Sequence, residues 1–182
     1  MAAAQRIRFA GLGGQGLVLS SIILAEAAGV YGGKRVVQSQ QYGGAIRDTP
    51  SQGTVLISEG SVEYPWVTEL DVLVALAQSA LEAHLPLLRP GGLLIIDPMF
   101  VTKVSRTDVE LHEIPATAMA EKLGNRRVAN IIMLGSLTRL SGIVPYEAME
   151  KAVLARAPKA WIDLNRTALK AGSEMEVQPA AV

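Results

Sequence analysis

Short apolar runs alternate with longer stretches of helical spacing through the first half of the chain. Residues 7–10 read as a first strand, and Gln15 to about Val30 as a helix that stops at the glycines 29, 32 and 33. Residues 34–39 and 53–58 read as the second and third strands, with a polar stretch over 40–52 between them. Residues 71–76 and 93–96 are continuous apolar runs, the pattern of parallel strands covered on both faces. Between those runs, 79–88 reads as a helix stopped by Arg89-Pro90-Gly91-Gly92. The last third changes character: 115–123, 128–140, 146–155 and 160–171 all show helical spacing, with Pro145 and Pro158 near helix starts, where a missing N–H is harmless. No linker or repeat divides the chain, so residues 1–172 are expected to form a single domain and 173–182, which lack periodicity, a mobile tail.

Strands alternating with helices predict an α/β fold with a doubly wound, mostly parallel sheet and a helical C-terminal third. The first helix is unusual. From Leu17 to Ala28 its only charge is Glu26 and its other polar residues are Ser20 and Ser21, so it needs cover on more than one face. That cover must come from a second layer of its own domain or from another subunit.

The first strand runs into Gly11-Leu12-Gly13-Gly14-Gln15-Gly16, a Rossmann-like glycine turn placed between a strand and a helix. In such a turn Gly11 lets the chain leave the strand sharply, Gly13 lets backbone approach a ligand or a neighbouring chain, and Gly16 lets the helix pack tightly on the sheet. Free N–H groups at the helix start would favour an anion. The plainer reading is a tight strand-to-helix connection, and it gives the same fold. A dinucleotide site of the usual kind would also need a carboxylate at the end of the second strand to hold ribose hydroxyls. None occurs between Glu26 and Asp48, which disfavours ordinary NAD(P) dehydrogenase chemistry.

Charge and composition narrow the classes further. The 182 residues contain 17 Lys plus Arg and 17 Asp plus Glu, without a basic, aromatic-interleaved patch, so a nucleic-acid surface is not supported. The apolar runs are too short to span a membrane, and the N-terminal residues do not form a secretory signal, which points to a cytoplasmic protein. There is no cysteine, so the chain can hold neither a thiolate-ligated iron–sulfur cluster nor a cysteine nucleophile. His84 and His112 stand far apart, with no metal-ligand spacing, and are expected at the surface.

The polar stretch should emerge at the carboxyl ends of the strands, where ligands collect in open α/β sheets. Gln41, Tyr42 and Arg47 are its candidate ligand- or interface-lining residues, together with Gly11, Gly13, Gly14, Gln15 and Gly16. Arg47 either clamps a carboxylate or phosphate or pairs with Asp48 on a solvated loop. Asp97, following the 93–96 strand, reads as a turn cap before a catalytic acid.

The glycine turn, Leu24-Ala25-Glu26-Ala27-Ala28, Gln41-Tyr42 with Arg47, Tyr64-Pro65 and the 71–76 run resemble the gamma subunit of 2-oxoacid:ferredoxin oxidoreductases. The resemblance continues through Asn130, Leu134-Gly135, the 142–145 segment and Asn165 to Gly172, nearly the whole chain. It departs at Arg47-Asp48-Thr49-Pro50, where the family usually reads Arg-Gly-Gly; Pro50 fixes φ and restricts Thr49. The resemblance implies a complex that converts a 2-oxoacid and coenzyme A to acyl-CoA, carbon dioxide and reduced ferredoxin. It implies thiamine diphosphate and iron–sulfur clusters on partner subunits, one of them ferredoxin-like, and no catalytic residue or cofactor on this chain alone. The oxoacid expected is 2-oxoglutarate or a relative; an aryl 2-oxoacid such as indolepyruvate or phenylglyoxylate is the alternative. From another class, a freestanding dinucleotide- or acyl-CoA-binding module also fits the glycine turn.

Overall fold

The computed structural model describes residues 4–42, 49–60 and 67–175. Among them, six strands form one sheet in the order β2-β3-β1-β4-β5-β6. These are β1 Gln5–Leu12, β2 Arg35–Tyr42, β3 Pro50–Ser58, β4 Leu70–Ala75, β5 Leu88–Ile96 and β6 Glu110–Glu113. The β1, β4, β5 and β6 neighbours pair in parallel, whereas β3 pairs antiparallel with both β1 and β2.

The expected strands are present, with one change of direction. The polar stretch 40–52 is not one loop: Gln40, Gln41 and Tyr42 pair with Gly53, Gln52 and Ser51, so its ends belong to β2 and β3. A short return can only bring the chain back antiparallel, because a parallel neighbour needs a crossover of a dozen or more residues. The other edge of β3 pairs with β1, so β3 lies between β1 and β2. Strand β6 was not expected; its four residues, Glu-Leu-His-Glu, are too short and too polar to show as an apolar run. The Arg89-Pro90-Gly91-Gly92 breaker sits inside β5 as an irregularity, with Leu70 opposite Leu88 but Val72 opposite Leu93.

The first helix is shorter than the pattern predicts. Helix α1 covers Leu17–Glu26 and continues as a π-helical turn over Ala27–Tyr31. Helix α2, Gln78–His84, gives way to a 3-10 turn at Leu85–Leu87, where Pro86 has no N–H to continue the α pattern. The C-terminal helices follow the expected spacing: α3 Ala116–Lys122, α4 Ala129–Ser141, α5 Tyr146–Arg156 and α6 Ile162–Glu174. Helix α6 runs three residues past the expected end at 171, and most of the expected tail, 176–182, lies outside the described residues.

Alternation in β4 divides the core. Val72 and Val74 join Ile7, Phe9 and Ile95 under α1 and α4, while Leu73 and Ala75 join Leu94 and Ile96 under α2. The two burials account for the continuous apolar runs. Helix α1 gains its second layer from α4 and α5, with Arg156 of α5 paired to Glu26. Leu19, Val30 and Tyr31 nevertheless stay exposed, Val30 at 71%. Helix α4 is buried continuously from Asn130 to Thr138. It crosses α6 at Gly135 and Gly172, where a Cβ on either would run into the backbone of the other helix, at Leu169 or Ile132. Ser136 Oγ donates to the Gly172 carbonyl at 3.0 Å across this contact.

Candidate functional site

The glycine turn lies at the carboxyl edge of the parallel half of the sheet, and its residues divide the work differently from the fingerprint. Gly11 does not turn the chain; it is still within β1, opposite Ser51. A Cβ there would collide with the Gln15 side-chain amide. That amide bridges two strand ends, since Oε1 accepts from the Leu12 N–H at 2.7 Å and Nε2 donates to the Leu76 carbonyl at 2.6 Å. The turn itself falls at Gly13 and Gly14, and α1 begins only at Leu17, two residues later than expected.

Gly16 precedes α1 in the left-handed region, φ 75°, and a Cβ on it would lie 2.7 Å from Asn130 Nδ2. Its role is therefore to admit the first turn of α4, not to bring α1 onto the sheet. The close helix–sheet approach is at Gly53 of β3, where a Cβ would meet Ser21 of α1. The Gly13 N–H donates to the Thr49 carbonyl at 2.9 Å and the Gln15 N–H to the Leu12 carbonyl at 3.3 Å. Those two amides are occupied internally, while no side chain caps the first turn of α1.

A cavity of about 700 Å³ opens above this turn. Residues 12–15 and 76–79 form its floor, and Phe100, Thr117, Arg126, Arg127 and Asn130 its walls. Asp97, which is buried, builds one wall: its carboxylate accepts from the Met99 N–H at 3.0 Å and the Thr117 N–H at 2.8 Å. It is thus a turn cap, as its position after a strand indicated. Arg126 lies over the Phe100 ring at 5.5 Å from the centroid, and Asn125 caps the segment that presents Arg127 by accepting its N–H at 3.0 Å. Asn165 is remote from this cavity; its Nδ2 donates to the Trp161 carbonyl at 2.8 Å within the start of α6.

A second cavity, about 330 Å³, adjoins the first at Ser79 and is lined by Gly11, Gln41, Ser51, Gln52 and His84 among others. His84 is not a free surface residue: Arg8 Nη1 lies 3.3 Å from its Nδ1. Burial, and then the charge of Arg8, push its pKa down to about 4, so the ring is neutral and Nδ1 is the acceptor. Arg8 is only 8% exposed, and burial lowers its pKa as well. Its Nε donates to Thr54 Oγ1 at 3.1 Å. His112 also departs from the surface expectation. It is 5% exposed, with Nε2 2.9 Å from Glu110 Oε1 and Nδ1 unpartnered.

The structure thus gathers Gly13, Gly14 and Gln15 at the larger cavity, and Gly11 and Gln41 at the smaller. Gly16 borders the larger one through Asn130. Tyr42 closes β2 opposite Ser51, and Arg47 lies outside the described residues. Sequence reasoning missed Arg8, Phe100, Arg126 and Arg127. The Gly124-Asn125 turn followed by two arginines was the available signal for the last pair.

This is an α/β domain whose glycine turn meets a cationic wall in place of the ribose carboxylate of dinucleotide enzymes. Residues 6–175 match the family described as pyruvate ferredoxin/flavodoxin oxidoreductase, and the chain belongs to that family. It is 40% identical over 174 residues to 2-oxoglutarate synthase subunit KorC of Methanocaldococcus jannaschii, covering 94% of this chain and 93% of that one. It is 42% identical to the keto/oxoacid ferredoxin oxidoreductase gamma subunit from Geobacter sulfurreducens, with a TM-score of 0.87 over 95% of this chain and 96% of that one. The fold also recurs within the 2-oxoglutarate:ferredoxin oxidoreductase from Magnetococcus marinus, solved with 2-oxoglutarate, coenzyme A and succinyl-CoA bound. There the TM-score is 0.83 at 22% identity, over 94% of this chain and 31% of that one. The family resemblance read from the sequence therefore holds, and no helix among the described residues is long and apolar enough to cross a membrane.

Proposed function

We propose that this chain is the gamma subunit of a cytoplasmic 2-oxoglutarate:ferredoxin oxidoreductase. The complex would convert 2-oxoglutarate and coenzyme A to succinyl-CoA and carbon dioxide and pass electrons to ferredoxin. The observation that carries the reading is the near end-to-end match to a 2-oxoglutarate synthase subunit. The chemistry of the chain agrees with a supporting role. Without cysteine it supplies no thiolate for an iron–sulfur cluster, so the clusters belong to a ferredoxin-like partner, and thiamine diphosphate to another.

What this chain contributes is shape and positive charge at the edge of the reaction. The glycine turn that leads into α1 and the two arginines 126 and 127 line one cavity, an arrangement suited to the phosphates of coenzyme A. Gly13 keeps the turn without a side chain, and Tyr42 and Arg47 would complete the junction with a partner subunit.

The test is the intact complex isolated anaerobically from its own cells and assayed for coenzyme A-dependent dye reduction with a panel of 2-oxoacids. Co-purifying thiamine-diphosphate and cysteine-rich chains with a preference for 2-oxoglutarate support the reading. Replacement of both Arg126 and Arg127 by alanine should raise KM for coenzyme A by about tenfold or more, with KM for the oxoacid unchanged. A chain that elutes alone and inactive, or a complex that prefers another oxoacid, overturns it.

A further inference from the structure

Arg8 is the one buried arginine among the described residues, and no described carboxylate pairs with it. Nearby acids are engaged elsewhere: Asp71 holds Arg6 and Arg89, and Glu69 holds Arg6. A buried cation is costly unless an anion compensates it. The neutral neighbours of Arg8, Thr54 and His84, satisfy hydrogen-bond geometry but leave the charge standing.

The cavity beside this pair is equipped for such an anion. Its described lining includes no acidic side chain. With Nδ1 of His84 turned to Arg8, the ring hydrogen is on Nε2, a donor polarised by the neighbouring guanidinium. Gln41 accepts from Gln52 Nε2 at 2.8 Å through its oxygen, which leaves its own NH2 as a donor. Ser51 and Ser79 add hydroxyl groups, and about 330 Å³ is the scale of a small-molecule pocket.

We infer that this cavity binds a small oxyanion, carboxylate or phosphate, through His84, Gln41, Ser51 and Ser79, with Arg8 supplying the charge one ring behind. The site lies on the α2 face of the sheet, apart from the Arg126–Arg127 wall, and does not depend on which oxoacid the complex uses. Arg8 is a positioning residue here, acting through the imidazole.

The experiment is a proton NMR titration of the full-length chain with inorganic phosphate, and in a parallel arm with malonate, at constant ionic strength. The chain has two histidines, so their ring resonances are readily separated. Saturable displacement of the His84 signals with His112 unmoved is the expected result, and the tighter of the two probes identifies the oxyanion. Arg8→Met should weaken that displacement about tenfold or more. His84 signals that do not move with either probe in the unsubstituted chain overturn the inference whether or not the variant folds. So does equal binding by a folded Arg8→Met protein.

Discussion

Gln15 is the most exacting test of how the glycine turn is held, because one side chain joins the ends of two parallel strands. Its amide accepts from Leu12 N–H at 2.7 Å and donates to the Leu76 carbonyl at 2.6 Å. Replacement by alanine removes both bonds. Each is worth about 1 kcal/mol net, and a backbone group left partly shielded from water adds to the loss. The cavity above the turn lets water reach the freed groups, so the total should be about 2–3 kcal/mol, a fall of about 4–12 °C in Tm for a chain of this size. Gln15→Glu separates the two bonds. Its carboxylate can still accept from Leu12 but faces the Leu76 carbonyl without a hydrogen to donate. Near neutral pH the glutamate variant should therefore be no more stable than the alanine variant. As pH falls its carboxyl protonates and regains the Leu76 bond, so its stability should rise relative to alanine on acidification. Urea denaturation across pH, with hydrogen exchange at the Leu12 amide, measures both effects. Equal stability of Gln15→Glu and the unsubstituted chain at neutral pH, or no relative gain in acid, would refute the bridge.

Three further outcomes are expected. Gly135→Ala forces a Cβ into the Leu169 backbone at the α4–α6 crossing and should cost about 3 kcal/mol or more in thermal melts. Gly142→Ala, at φ 59° with open space around it, should cost only about 1 kcal/mol. His84 folds neutral with a pKa of about 4 against 6.5 unfolded, so unfolding takes up a proton and its contribution is full above about pH 6.5 and lost as pH falls through about 4. The shift sets a ceiling of about 3 kcal/mol, and screening at the open cavity reduces it to about 1–2; that acid loss should be missing from His84→Gln in paired denaturation curves.

The helical third was legible because its boundaries are chemical. Gly124-Asn125, the Gly142 to Pro145 segment and Pro158 punctuate it, and the observed helices fall within one to three residues of the expected ends. Strand pairing was less legible because it is not local. Nothing within 50–58 announces that it lies between β1 and β2, yet that placement changes every neighbour of the glycine turn. The same is true of the site. Gly13, Gly14 and Gln15 line the cavity from one continuous turn, but Arg126 and Arg127 arrive from a segment more than a hundred residues away. His112 misled for a related reason: it is buried beside Leu111 in the middle of the four-residue β6, and a lone polar residue in so short a run carries no signal of its face.

The position of β3 also explains why a glycine fingerprint persists here without its carboxylate. In a dinucleotide fold the acidic residue works because β2 lies directly beside β1, one strand spacing from the turn. Here β3 occupies that place, and β2 is displaced to about 10 Å from β1. A carboxylate at the end of β2 would be too far to hold a ribose seated on the turn, so its absence removes nothing. The first residues of β3 stand there instead, and the Thr49 carbonyl just before them takes the Gly13 N–H. The polar contacts that remain available come from the opposite side, from the α3–α4 connection with its two arginines. The turn thus keeps a dinucleotide-type geometry without the ribose carboxylate, and two arginines line the cavity above it instead.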